Sequence, residues 1–260
     1  RLNLTQSAVS RQVRNLEEQL GETLVIRRHH HLELTASGAE LLASLQHAFH
    51  TVEMTVRNIR EKSNLRRLRI NVPPTFAKRW LMPRLMSLRA FLPDVDLSIT
   101  TDLEDNLSER GMLDCAIRFG DGQWPGMQTR HLLAAPLAPV CAPSLAHRIR
   151  AVADLGRETL LRSYRSDEWA QWFEAAGARL PLLTGPVFDT SQVLAEAAAQ
   201  GAGVALLPVP MFSRDLQSGR LVRLFDVEVD VGGYWLTRLK TRRKSAAMKA
   251  FQDWLEQQTT

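Results

Sequence analysis

From Gly38 to Lys62 no glycine or proline interrupts the chain, and apolar residues recur mostly at steps of three and four: Leu41, Leu42, Leu45, Phe49, Val52, Val56 and Ile59. That spacing predicts one helix of roughly seven turns. A rod of this length stands outside any obvious core and divides the chain into a short front and a long rear. Its stripe calls for a partner helix, supplied by a second copy of the chain or by its own domain. Residues 35–65 are therefore expected to be a linker and dimerisation helix.

In front of it stands TQSAVSRQVRNLEEQLG. Val9, Val13, Leu16 and Leu20 form a helical stripe, Thr5 suits the N-cap, and Gly21 suits the position past the C-terminus. The other face carries Thr5, Gln6, Ser7, Ser10, Arg11 and Arg14, and the acids Glu17 and Glu18 come only after it ends. Short hydroxyls and amides reach base edges, and arginines hold phosphates or guanines. The same face would also serve as an ordinary solvated surface. Next, Leu24–Ile26 and Leu32–Leu34 flank RRHHH, which reads as a hairpin, or wing, with Arg27 and Arg28 at a basic tip. Adjacent histidines in a strand point to opposite sides, and no Cys or carboxylate cluster joins them, so a metal site is not expected.

Behind the long helix the pattern changes to strands alternating with helices. RLRINV, VDLSIT, LDCAIRF, LAPVC, GPVFDT, GVALLPV, LVRLF and GGYWLTRL read as strands. FAKRWLMPRLMSLRAFL, DEWAQWFEAAGA, SQVLAEAAAQG and AMKAFQDWLEQQ read as helices. This is an α/β architecture with parallel sheet, and about eight strands suit two small lobes better than one sheet. Thr75 and Ser191 each follow a strand and open a helix, where N–H groups favour carboxylates and phosphates. Both hydroxyls would equally serve as helix caps. Tyr234 is either a cleft residue or a strand aromatic. Asp189 and Arg118 are further strand-end candidates, and Trp124 reads as a loop packing residue.

The net charge of +5 and the cluster Arg57, Arg60, Lys62, Arg66, Arg67 and Arg69 are compatible with a nucleic-acid partner. Cys115 and Cys141 sit in apolar stretches and read as reduced core thiols, which suits the cytoplasm. No apolar run approaches membrane-spanning length, and no secretory signal is seen. An enzyme would need a nucleophile elbow, a Walker loop or a dinucleotide fingerprint, and none occurs. No catalytic residue, cofactor or metal is therefore expected. A transporter's solute-binding protein would require export, and the helix-and-wing front argues against it. The chain opens at Arg1 in what reads as the end of an earlier element, so residues are expected to precede it.

LNLTQSAVSRQVRNLEEQLGETLVIRR…LELTASG is similar to the winged helix-turn-helix of the LysR-type transcriptional regulators, and the resemblance extends over essentially the whole chain. RFGDGQWPG and VPPTFAKRWLMPRL look like its glycine-cleavage-activator branch. LLRSYRSDEWAQWFEAAG and GGYWLTRLKTRRKSAAMKAFQDWL look like the AmpR-type regulators of chromosomal β-lactamases. The resemblance implies an N-terminally incomplete winged helix-turn-helix over 1–34 and a linker helix over 35–65. It implies a type II periplasmic-binding-protein-like effector domain over 66–260, its two lobes lying roughly at 69–140 with 236–260 and at 141–235. It implies a cytoplasmic homodimer or homotetramer on double-stranded promoter DNA, with RNA polymerase as a further partner, beside a divergently transcribed β-lactamase gene. The implied effectors are muropeptides, UDP-MurNAc-pentapeptide for repression and an anhydro-muropeptide for activation. The alternative is a LysR-type regulator of another metabolic operon with a small acidic effector.

In that branch a Thr, a Ser and a Tyr contact the effector, and the matching positions are Thr75, Ser191 and Tyr234, with Phe76, Asp189 and Thr190 beside them. Two positions depart from the pattern. Pro74 stands where relatives have glycine, and Leu107 stands where an Asp is associated with the response.

Overall fold

The computed structural model of the protein describes residues 5–27, 31–60, 66–101, 113–165 and 167–259. The chain divides into two compact units, residues 1–63 and 64–260. Arg28, His29, His30 and Leu107 lie outside the described residues.

The first unit begins with α1 (Gln6–Leu20). Thr5 Oγ1 accepts the Ala8 N–H at 3.3 Å, and Gly21, at φ +70°, turns the chain while its N–H reaches the Glu17 carbonyl. Beyond it β1 (Val25–Arg27) pairs antiparallel with β2 (Leu32–Leu34), Val25 opposite Leu34. The strand bounds differ from the expected Leu24–Ile26 by one residue. Glu17 ties helix to wing, for its Oε1 accepts the N–H groups of Leu24 (2.8 Å) and Val25 (3.0 Å). The long helix follows as α2 (Ala36–Arg60). Thr35 Oγ1 accepts the Gly38 N–H at 3.0 Å and so caps it. A Cβ on Gly38 would lie 2.1 Å from the Leu24 carbonyl oxygen, so only glycine lets helix and wing approach this closely. Phe49 and Val52 of the α2 stripe are 70% and 58% exposed.

The second unit holds two five-stranded sheets. Its elements in chain order are β3 (Arg66–Asn71), α3 (Pro74–Phe76), α4 (Leu85–Phe91), β4 (Val95–Thr100), β5 (Cys115–Gly120), β6 (Met127–Ala134), β7 (Leu137–Cys141), α5 (Pro143–Ala146), β8 (Leu160–Ser163), α6 (Glu168–Ala175), β9 (Val187–Phe188), α7 (Ser191–Ala199), β10 (Val204–Pro208), α8 (Ser213–Gln217), β11 (Val222–Arg223), β12 (Gly233–Leu239) and α9 (Ala246–Thr259). The first sheet runs β4-β3-β5-β12-β6 and the second β11-β7-β10-β8-β9. The chain leaves the first sheet after β6 and returns to it in β12. The lobe borders thus fall near 135 and 232, not at 140 and 235: β7 belongs wholly to the second lobe, and Gly233–Trp235 to the first.

The sheets are mixed rather than parallel. β3, β4 and β5 run parallel, as do β8, β9 and β10, whereas β12 is antiparallel to both of its neighbours and β7 is antiparallel to β10 and β11. Two strands lack a sequence signal. β6 carries Gln128, Thr129, Arg130 and His131 in succession and lies at a sheet edge, and β8 has only four residues. The segment expected as one helix from Phe76 changes pitch along its length: α3, a π-turn over Ala77–Leu81, a 3₁₀ turn over Met82–Arg84, then α4. Pro83 removes a backbone donor in the middle, which forces the change.

Tryptophans knit each lobe. Trp254 of α9 lies 5.8 Å from Trp80 and donates its N–H to Ser87 Oγ at 3.2 Å. In the second lobe the indole N–H groups of Trp169 and Trp172 donate to the carbonyls of Leu161 (2.8 Å) and Val227 (3.0 Å). Cys115 and Cys141 are buried thiols with no disulfide. Burial pushes both up, Cys141 to about 11.

Between the lobes, Arg79 Nη1 donates to Asp215 Oδ2 at 2.6 Å, and its Nε donates to Gln192 Oε1 at 2.8 Å. Arg220 Nη1 takes the other Asp215 oxygen at 3.0 Å while its Nη2 meets Glu196 at 2.5 Å. Asp215 is 6% exposed. Removing one member of a buried ion pair strands the other charge, at a cost of ~3–5 kcal/mol. Asp215→Ala is accordingly expected to lower the urea-unfolding free energy of residues 64–260 by about that amount. A loss below ~1 kcal/mol, the scale of an exposed pair, would show that Asp215 does not hold the lobes.

Candidate functional site

On α1, Ser7, Arg11 and Arg14 are exposed and Ser10 half-exposed along one face. The Thr5 hydroxyl is already engaged, capping the helix and sharing a 3.0 Å hydrogen bond with Ser7 Oγ. Gln6 and Arg27 lie in described elements, but their side chains are outside the description, as is all of Arg28. Of the apolar stripe, Val13 is half-buried, whereas Val9, Leu16 and Leu20 are exposed.

The second site is a cavity of about 460 Å³, partly open to solvent, between the two sheets of the second unit. It opens where parallel strands of both sheets end. β3 leads into Pro73, Pro74 and Thr75, β9 into Asp189, Thr190 and Ser191, and β8 into Tyr164 and Arg165; Tyr234 of β12 and Phe119 of β5 close the wall. Ligand crevices form at the carboxyl ends of strands in open α/β sheets. The volume falls within the ~300–1,000 Å³ usual for small-molecule sites.

Five of the six residues grouped from the sequence converge here: Thr75, Asp189, Thr190, Ser191 and Tyr234. Phe76 does not line the cavity. It is wholly buried behind the wall, its ring 5.0 Å from Tyr234 and 4.8 Å from Trp80. The α3 turn explains this, because adjacent helical residues point about 100° apart, so Thr75 faces the cleft and Phe76 the core. Arg118 is not in the wall either, and stands 5.9 Å from the Trp124 ring.

The question of cap or ligand divides between neighbours. Thr190 is the cap of α7, its Oγ1 accepting the Val193 N–H at 3.3 Å. Ser191 sits one residue inside the helix, and Thr75, 5% exposed, sits beyond Pro73 at the head of α3. Among the described residues the hydroxyls of Thr75, Ser191 and Tyr234 make no hydrogen bond to the protein. Three hydroxyls facing one cavity without protein partners are donors held for a ligand. Tyr234 is 3% exposed, and burial raises its pKa well above the ordinary phenol value, so it is protonated and able to donate throughout the physiological range. Pro74 occupies the first position of α3, where its missing N–H costs no helical bond. It also leaves that end of the cleft one backbone donor short.

Sequence reasoning missed the far wall. Tyr164, Arg165 and Glu168 line the cavity, and all follow β8, the strand with no period signal. Recognising LLRS as a strand would have placed YRSDE at a strand end beside the others.

A helix-and-wing unit, a long helix with an exposed stripe, and a two-lobed unit around a ligand-sized cleft together define a ligand-responsive DNA-binding regulator. Residues 1–39 match the model of the bacterial regulatory helix-turn-helix protein, lysR family, and residues 61–260 match that of the LysR substrate binding domain. The chain belongs to the LysR family of transcriptional regulators and is not an enzyme. It is 46% identical over 258 residues to the HTH-type transcriptional activator AmpR of Rhodobacter capsulatus, covering 99% of this chain and 89% of that protein. It is 37% identical to a carbapenem-hydrolyzing β-lactamase transcriptional activator of Serratia marcescens, over 98% of this chain and 88% of that one. The AmpR effector domain of Pseudomonas aeruginosa superposes with a TM-score of 0.70 at 45% identity, covering 74% of this chain and 95% of the domain. A Citrobacter freundii effector binding domain carrying three substitutions, Thr to Val, Ser to Ala and Tyr to Phe, superposes with a TM-score of 0.71 at 38% identity. It covers 75% of this chain and the whole of that domain. Among the described residues no helix is long and apolar enough to cross a membrane.

Proposed function

We propose that this regulator controls a β-lactamase gene from the cytoplasm and that its cleft receives a muropeptide. The carrying observation is the trio of partnerless hydroxyls, Thr75, Ser191 and Tyr234, around one cavity at strand ends. The relatives named for β-lactamase activation support the target gene. One Thr, one Ser and one Tyr are also the residue types whose hydroxyls were deleted in the Citrobacter freundii effector binding domain, which supports the trio as the ligand set. A muropeptide brings carboxylates and amides on a peptide stem, and clustered neutral donors suit both. The cavity takes the stem end of UDP-MurNAc-pentapeptide, leaving the nucleotide outside. UDP-MurNAc-pentapeptide holds the repressing state and an anhydro-muropeptide the activating one, with RNA polymerase as the partner at the promoter. Thr190 and Asp189 stand at the rim.

DNA is read by α1. Ser7, Ser10, Arg11 and Arg14 face the major groove or its flanking phosphates, with Gln6 and the Arg27–Arg28 wing at the edges. The exposed α2 stripe pairs with its counterpart in a second copy, and two such dimers make the tetramer.

These assignments have separate outcomes. Arg11→Ala is expected to weaken operator binding by about 1–3 kcal/mol and to relax preference at one base pair, measured by fluorescence anisotropy on an operator panel. Unchanged affinity and preference would remove Arg11 from the interface. Phe49→Glu with Val52→Glu is expected to give monomers by light scattering, because carboxylates are costly in an apolar seam; a double variant that stays oligomeric places the seam elsewhere. Thr75→Val and Ser191→Ala are each expected to weaken UDP-MurNAc-pentapeptide binding about ten- to a hundredfold by calorimetry, the value of one hydrogen bond to a charged group. Wild-type affinity in both would make them structural hydroxyls. No muropeptide binding by the unaltered protein would end the muropeptide reading in favour of another small acidic effector.

A further inference from the structure

The cavity wall holds a single cation, Arg165, among uncharged residues and two carboxylates, Glu168 and Asp189. Its guanidinium carbon lies 4.4 Å from the Phe119 ring centroid and 4.6 Å from that of Tyr164. Two aromatic faces orient the planar group and leave its edge for hydrogen bonds. That edge is largely unused. The one ion pair, Nη1 to Glu168 Oε1, spans 3.5 Å, against ~2.7–2.9 Å for a charge-assisted hydrogen bond.

Glu168 is committed elsewhere. Its other oxygen accepts the Ser163 hydroxyl at 2.6 Å, and Ser163 Oγ in turn accepts the Arg165 backbone N–H at 3.1 Å. Ser163 and Glu168 therefore hold the root of Arg165 and counter its charge from behind, and among the described residues no protein acceptor completes the guanidinium fork. A guanidinium has five N–H donors, and a carboxylate meets two of them in parallel. Tyr234 stands close enough for the Arg165 charge to oppose the rise in its phenol pKa. The cation and the hydroxyl therefore serve the same space.

We propose that Arg165 is the specificity-determining residue of the cleft and receives the terminal carboxylate of a peptide, with the cleft hydroxyls completing its hydrogen bonds. The inference rests on the muropeptide reading above and adds which atom of the ligand is recognised. The charge balance of the wall selects a carboxylate over a phosphate. With Glu168 and Asp189 present, one guanidinium offsets a monoanion but leaves a dianion facing two acids. The pyrophosphate of a nucleotide-linked ligand is thus kept outside while its peptide terminus enters.

The test is calorimetry of the full chain with UDP-MurNAc-pentapeptide and with the same compound carrying a C-terminal carboxamide. The wild type is expected to prefer the acid by about ten- to a hundredfold. Arg165→Gln is expected to bind acid and amide alike, near the wild-type affinity for the amide. Arg165→Lys keeps the charge without the fork and is expected to fall between. Equal affinity of the wild type for acid and amide overturns the proposal without any variant, and leaves the muropeptide reading standing. Retained discrimination in Arg165→Gln overturns it too. Binding of neither compound by the wild type overturns both.

Discussion

Asp215 is a carboxylate buried between two guanidinium groups, and the two lobes meet across it. Arg79 comes from the π-turn just beyond Thr75, and its second hydrogen bond goes to Gln192, the residue after Ser191. The two hydroxyls that face each other in the cleft are thus separated from a shared ionic contact by four residues on one side and one on the other. Both carboxylate oxygens of Asp215 are taken, by arginines from different segments. A buried charge tolerates little displacement once its partners are in place. The width of the cleft is set by this contact together with the apolar core that runs through both lobes.

The pitch change after Thr75 serves the same arrangement. A regular helix from Pro74 to Phe91 would rotate Arg79 to a different azimuth. The π-turn over Ala77–Leu81 widens the turn by one residue, and Pro83 closes the irregularity with a 3₁₀ turn. Arg79 then lies 4.6 Å from the Phe212 ring as well as against Asp215, while Trp80 on the other side packs on Phe76 and Trp254.

The sequence carried the fold class and the near wall of the cleft because those rest on local signals. Thr75 and Ser191 follow apolar strands and precede helical periods, so their placement at strand ends is readable. Tyr234 came through the resemblance alone, since a strand aromatic has no local mark of a ligand. Phe76 was misplaced because sequence adjacency to Thr75 says nothing of the turn that sends it to the core. Arg165 escaped because β8 is too short for a period and the charged run after it reads as solvent-facing surface. The mixed direction of the sheets is a long-range property: β12 joins the first sheet only after the chain has built the second.

Gly38 has a mechanical consequence. With the Leu24 carbonyl oxygen 2.1 Å from where its Cβ would stand, the start of α2 and the base of the wing touch backbone to backbone, without a deformable side chain between them. Glu17 adds a clasp from α1 to the same base through Leu24 and Val25. The three elements have no compliant layer in which a twist could dissipate. A torque applied along the long helix therefore arrives at the wing as a rigid rotation, and α2 acts as the shaft of a lever whose working end is the α1 face with Ser7, Ser10, Arg11 and Arg14.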